Sequence, residues 1–172
     1  DLRSDYVQRN LHRFPYGIEK SLDGELGAVN QGRVFSFVEI ATLVLDQVRL
    51  QARAALQSDV RKAVITVPAH FTNRQRRAVQ EAGRKAGFDV MKLVNEPTAA
   101  ALAFGVDQNL DTRVLVFDLG GGTFDATVLD LTDNIFEVRA TSGEPFLGGL
   151  DFDRAVRDRL VQVCTDHFGV AL

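Results

Sequence analysis

Asp118-Leu119-Gly120-Gly121-Gly122-Thr123-Phe124-Asp125 is the stretch on which the fold of this chain turns. An acidic residue ends one apolar run, three glycines make a turn, and a hydroxyl opens the next run. Three adjacent glycines can adopt φ > 0, aim several backbone amides at one point and leave no side chain in the way of a phosphate. Asp118 can then hold magnesium, directly or through water, since that hard cation prefers oxygen ligands and keeps much of its hydration. Thr123 can donate to a terminal phosphate oxygen. The same residues also suit a plain tight hairpin with polar flanks. Two acids bracketing the glycines, each beside an apolar strand, favour the functional reading.

Outward from this turn, Arg113 to Leu119, Thr123 to Leu131 and Ile135 to Thr141 read as three strands. Gly120-Gly121-Gly122 and Thr132-Asp133-Asn134 join them as an antiparallel meander. A glycine-rich connection, Gly143 to Gly149, leads to a helix from about Asp151 to Phe168. Upstream the pattern changes. Lys62 to Val67 is a β-branched run stopped by Pro68, a buried strand. Thr72-Asn73-Arg74-Gln75 is a capping box opening a helix to about Ala86, with Gly87 as its stop. Val90 to Val94 is a second strand, and Pro97 lies in the first turn of a short helix, Thr98 to Phe104, closed by Gly105. This alternation predicts parallel pairing with a crossover helix. Ser36 and Glu39 form another capping box, followed by Ile40, Leu43, Val44, Val48 and Ala55, which predicts one long helix over residues 37 to 57. Before it, Pro15, Gly17, Gly24, Gly27 and Gly32 predict short extended pieces and turns.

A second candidate segment is Asn95-Glu96-Pro97-Thr98-Ala99-Ala100-Ala101. Glu96 lies where a strand meets a helix, a usual place for ligand groups in open α/β sheets. Phosphoryl transfer to water needs an oxygen acceptor to orient the nucleophile, a role open to Glu96. An acid at a helix N-terminus is equally at home for electrostatic reasons alone. Arg74, Arg76 and Arg77 crowd a first helical turn against the helix dipole, which suits either an ion pair elsewhere or a solvated face. His12, His70 and His167 lack metal-ligand spacing, so no zinc site is expected. Cys164 reads as a core thiol of the last helix.

The 172 residues allow one ordinary domain or two small lobes. Hydrophobic residues make up 45% and charged residues 25%, a globular profile. Lysine plus arginine number 20 against 23 acids, a net charge of −3, which gives no electrostatic reason to expect nucleic acid or an anionic membrane as partner. A lone cysteine excludes an intrachain disulfide and suggests a reducing, cytoplasmic compartment. Met91 is the only methionine, so the chain is expected to be a processed product or, as favoured here, a piece cut from a longer protein.

Four runs in order resemble one family: Val64 to Phe71, Asn95 to Ala101, Phe117 to Asp125, and Gly148-Gly149-Leu150-Asp151-Phe152-Asp153. They are similar to the ATPase domain of 70-kilodalton heat-shock chaperones of the DnaK type, most strongly over residues 62 to 153. The resemblance implies an α/β, actin-like ATPase domain with ribonuclease-H-like lobes, here incomplete. Residues 1–36 would belong to the outer subdomain of lobe I and 37–109 to its inner subdomain. Residues 112–148 would open the inner subdomain of lobe II, and 149–172 its outer subdomain. By position, Asp118 resembles the acid holding the water shell of magnesium, while Gly120, Gly121, Gly122 and Thr123 resemble the second phosphate loop. Glu96 resembles the acid linking nucleotide state to the other lobe, and Asp125 an acid near the attacking water. Pro68 and Arg76 resemble a relay to the peptide-binding domain.

The implied cofactors are ATP or ADP with Mg. The implied partners are unfolded polypeptides, a J-domain co-chaperone and a nucleotide exchange factor. His70 stands where the family usually has tyrosine, and Leu150 where an acid usually precedes Asp-Phe-Asp. The family's first phosphate loop and its lobe I lysine are not among these residues, so the piece alone is expected to be inactive. Alternatives are a small-molecule kinase of the same superfold and a filament-type nucleotide-binding protein.

Overall fold

The computed structural model describes residues 5–20, 26–105, 111–132 and 135–169, and is an α/β structure of two compact units, Asp1–Asn95 and Glu96–Leu172. Asp133, Asn134, the expected boundary near residue 109 and Gly24 lie outside the described residues.

The first unit opens with a short helix, α1 (Asp5–Asn10), and a 3-10 turn (Leu11–Arg13), where only extended pieces and turns were expected. Strands β1 (Gly17–Lys20), β2 (Leu26–Asn30) and β3 (Arg33–Ser36) form an antiparallel meander. Gln31 and Gly32 both take positive φ between the paired Asn30 and Arg33, the two-residue turn whose twist matches a hairpin. Ser36 ends β3 and caps α2 (Phe37–Leu56). Its Oγ accepts from the Glu39 amide at 3.1 Å, and its own amide donates to Glu39 Oε2 at 2.8 Å, so two orphan donors are satisfied. The apolar positions Leu43, Val44 and Val48 nevertheless face outward. The helix is covered instead on the side of Ala41, Leu45, Arg49 and Ala52, all half-buried.

Strands β4 (Lys62–Val67) and β5 (Asp89–Asn95) pair in parallel, with α3 (Asn73–Lys85) as the crossover. Thr72 and Gln75 close the second capping box. At the other end Gly87 takes φ +86. The Phe88 amide donates to the Gly83 carbonyl and the Gly87 amide to that of Arg84, a Schellman stop that consumes carbonyls the helix leaves open. Val67, Ala82, Ala86 and Phe88 supply buried apolar surface here.

The second unit begins with α4 (Glu96–Gly105), followed by β6 (Thr112–Leu119), β7 (Phe124–Thr132) and β8 (Ile135–Glu144) as the expected antiparallel meander, and α5 (Gly149–Phe168). Burial alternates along β7, with Thr127, Leu129 and Leu131 inward. Ala101 of α4 clusters with Leu129 and Leu131, and Val114, Val116, Phe136 and Val138 pack around them. On the opposite face Asp130 accepts from Arg113 at 2.6 Å and from Arg139 at 2.5 Å. A register shift leaves Arg139 as the extra residue of a bulge, which brings it to the Asp130 side. Cys164 is half-buried rather than core, on a helix whose Phe152, Val156, Leu160 and Phe168 are exposed.

Candidate functional site

The covered face of the β6–β8 sheet is a ladder of rows. Val114, Leu129 and Val138 form one row, Val116, Thr127 and Thr141 the next, and Asp118, Asp125 and Gly143 the last. The apolar core thus runs along the sheet and ends in carboxylates. Between core and acids lies a hydroxyl pair, Thr127 and Thr141, 2.9 Å apart, with Thr127 only 1% exposed. That pair satisfies a buried polar group.

Asp118 and Asp125 are direct cross-strand partners, so their side chains leave the same face of the sheet. Like charges in that relation are unfavourable by themselves. A row of this kind suits a bound cation. Asp118 is exposed and Asp125 half-buried. Gly143, on the other side of Asp125, makes room for it. A Cβ there would lie 2.3 Å from the Phe124 carbonyl oxygen and 2.8 Å from Asp125 Oδ1.

The turn between the acids closes with the Gly120 amide donating to the Thr123 carbonyl at 2.9 Å. None of Gly120, Gly121 and Gly122 takes a positive φ, contrary to the expectation from three glycines in a row. Their contribution is space. A Cβ on Gly121 or Gly122 would meet nothing within 4 Å, and both residues and Thr123 are exposed. The segment after β8 returns to this turn. The Gly149 amide donates to the Gly120 carbonyl and the Leu150 amide to that of Gly121, both at 2.9 Å. Asp151 Oδ2 accepts from the Gly148 amide at 2.9 Å.

Glu96 opens α4, the helix whose Ala101 sits on the same covered face. It is half-buried and followed by a buried Pro97. Pro68 and Arg76 come together separately, in the first unit. Arg76 donates to the Phe71 carbonyl at 3.2 Å, the Ala69 carbonyl at 3.3 Å and Asn95 Oδ1 at 2.7 Å. The Phe71 amide in turn donates to the Pro68 carbonyl at 3.2 Å. The Arg76 guanidinium is therefore held by neutral oxygens, which stitch the turn after β4 to the end of β5. Sequence reading missed Asn95 as that anchor, and missed Gly143 and Gly148 as close-approach residues. The glycine-rich stretch from Gly143 to Gly149 was the available signal.

The oxygen chemistry suits magnesium. Among the described residues no group of three or more His, Cys, Asp or Glu side chains could encage a metal. Two carboxylates at an open turn leave the remaining positions to water and phosphate, which is how magnesium is commonly held.

The family model described as Hsp70 protein matches residues 1–171. The chain belongs to the Hsp70 family. It is 45% identical over 170 residues to a protein of Thermus thermophilus named chaperone protein DnaK, covering 99% of this chain and 28% of that relative. It is also 45% identical over 155 residues to the mitochondrial heat shock 70 kDa protein of Pisum sativum, covering 90% of this chain and 23% of the relative. The chain thus spans about a quarter of the length of the curated relatives it matches. Among the described residues, no helix of this Hsp70-family chain is long and apolar enough to cross a membrane.

Proposed function

We propose that the chain is a stretch of the ATP-binding domain of an Hsp70 chaperone, whose whole protein couples ATP hydrolysis to binding and release of unfolded polypeptides. The observation that carries this is the row formed by Asp118 and Asp125 at the mouth of the open glycine turn. In this reading Asp118 holds hydrated magnesium, which neutralises phosphate charge. The amides of Gly121 and Gly122 and the Thr123 hydroxyl receive phosphate oxygens. Asp125 accepts from the attacking water, and Glu96 joins nucleotide state to the other lobe. Pro68, whose carbonyl accepts from the Phe71 amide, and Arg76, which donates to the Ala69 and Phe71 carbonyls, relay that state to a peptide-binding domain.

The wider architecture is proposed as actin-like with ribonuclease-H-like lobes. Residues 1–36 and 37–109 would belong to lobe I, and 112–148 and 149–172 to lobe II. A J-domain co-chaperone and an exchange factor are the proposed partners, and the cytoplasm the proposed compartment. The chaperone names of the relatives disfavour a small-molecule kinase or filament protein. The test is ATP turnover by the full-length protein with and without an unfolded peptide. Stimulated turnover supports the proposal. Turnover that depends on a small-molecule phosphate acceptor and ignores peptide overturns it.

A further inference from the structure

We infer that Gly148 is a positioning residue for the phosphate-binding amides, acting by letting the start of α5 lie directly against the glycine turn; this rests on the nucleotide-binding reading above. The Gly148 backbone is extended, with φ −168 and ψ −171, a conformation open to any residue. Space is what demands glycine. A Cβ would stand 2.4 Å from the Gly122 nitrogen, 2.5 Å from the Gly121 carbonyl carbon and 2.6 Å from its oxygen. All three are backbone atoms of the turn, with no rotamer through which to escape.

The close approach sets the direction of the donors. The Gly149 and Leu150 amides, which a helix start ordinarily leaves without intrahelical partners, bind the carbonyls of Gly120 and Gly121. A trans peptide is planar, with its N–H opposed to its C=O. Drawing those two carbonyls toward α5 therefore turns the amides of Gly121 and Gly122 away from it. Both glycines are exposed, with nothing within 4 Å of where a Cβ would stand. The donors are thus held toward accessible surface by a helix that begins 27 positions further along the chain than the turn's third glycine.

The experiment compares adenosine with ADP, in the presence of magnesium, on the full-length protein by calorimetry. The preference for the diphosphate over the nucleoside isolates phosphate recognition, whereas a merely structural defect weakens both alike. In Gly148→Ala the preference is expected to fall by about tenfold to a hundredfold, with adenosine affinity retained. An undiminished preference overturns the inference. Should Gly148→Ala lose both ligands or fail to fold, Gly149→Pro decides. Proline suits a first helical position but lacks the amide that holds Gly120. A collapsed preference there supports the inference, and an intact one overturns it. A parent protein that shows no preference for ADP overturns the nucleotide-binding reading itself, and the inference with it.

Discussion

Replacing Asp118 with asparagine should move stability in opposite directions with and without ligand. Directly opposed residues on antiparallel strands have Cβ atoms about 4.5–5.5 Å apart. Asp118 faces Asp125 in that relation and is exposed, so the dielectric of water governs the pair. Two unit charges about 5 Å apart then repel by about 0.8 kcal/mol. Asp118→Asn keeps the shape and removes the repulsion, so the magnesium-free, nucleotide-free protein should gain up to that amount, at most about 1 °C in midpoint for a full-length protein several times the size of this chain. With ligand the sign reverses. A nucleotide at a hundredfold excess over its dissociation constant stabilises the parent by about 2.7 kcal/mol. Loss of a charge-assisted contact worth about 1.5–3 kcal/mol weakens binding by about ten- to a hundredfold. At the same ligand concentration the variant would then gain only about 0.4–1.4 kcal/mol. Thermal unfolding of the full-length protein, first in chelator and then with magnesium and ADP, reads both arms. A ligand-induced gain equal to the parent's would refute the magnesium assignment and return the turn to a structural hairpin.

Four further outcomes are expected. Thr123→Ala should slow single-turnover hydrolysis less than Asp118→Asn does, because it deletes one neutral donor while the glycine amides remain, and Glu96→Gln should uncouple peptide release from nucleotide more than it weakens ADP binding. Leu129→Ala, at a position with 0% exposure between Ala101 and the inward valines, should cost about 2–5 kcal/mol, read as a lower denaturant midpoint. Hydrogen bonds from Arg113 first and Arg139 second hold the Asp130 carboxyl well below its ordinary range. Its contribution is therefore fully present above the unfolded carboxyl's pKa of about 3.9 and fades as pH falls below it. The stability gap between the parent and Asp130→Asn should accordingly narrow from pH 7 to pH 3, and a gap independent of pH would contradict the ion-pair account.

Elements were legible where the signal is local. Both capping boxes, the β-branched run before Pro68 and the stop at Gly87 each depend on residues within a turn of one another, and each appears where its residues stand. The six residues of α1 carry no such signature, which is why extended pieces were expected there. Helical spacing predicted α2 but not which side would be covered. An apolar stripe at Leu43, Val44 and Val48 says only that one face is apolar, and what packs against a helix is decided by distant chain.

The candidate site shows the same division more sharply. Asp118 and Asp125 were visible because a turn of known length places its flanks opposite each other. Arg76 was visible as an oddity, an arginine at the wrong end of a helix dipole, yet its partners belong to the preceding turn and to Asn95, 19 positions away. Glycine carries two different messages that look alike in sequence. At Gly87 it means a left-handed backbone, readable from a helix about to end. At Gly143 and Gly148 it means that other backbone arrives within a Cβ's width, and the arriving atoms belong to residues 124–125 and 121–122. Such a meaning has no local correlate. The three glycines of the turn were assigned the first meaning and have neither. They provide an open surface, and the constraint that directs their amides is carried by a fourth glycine, at the start of another element.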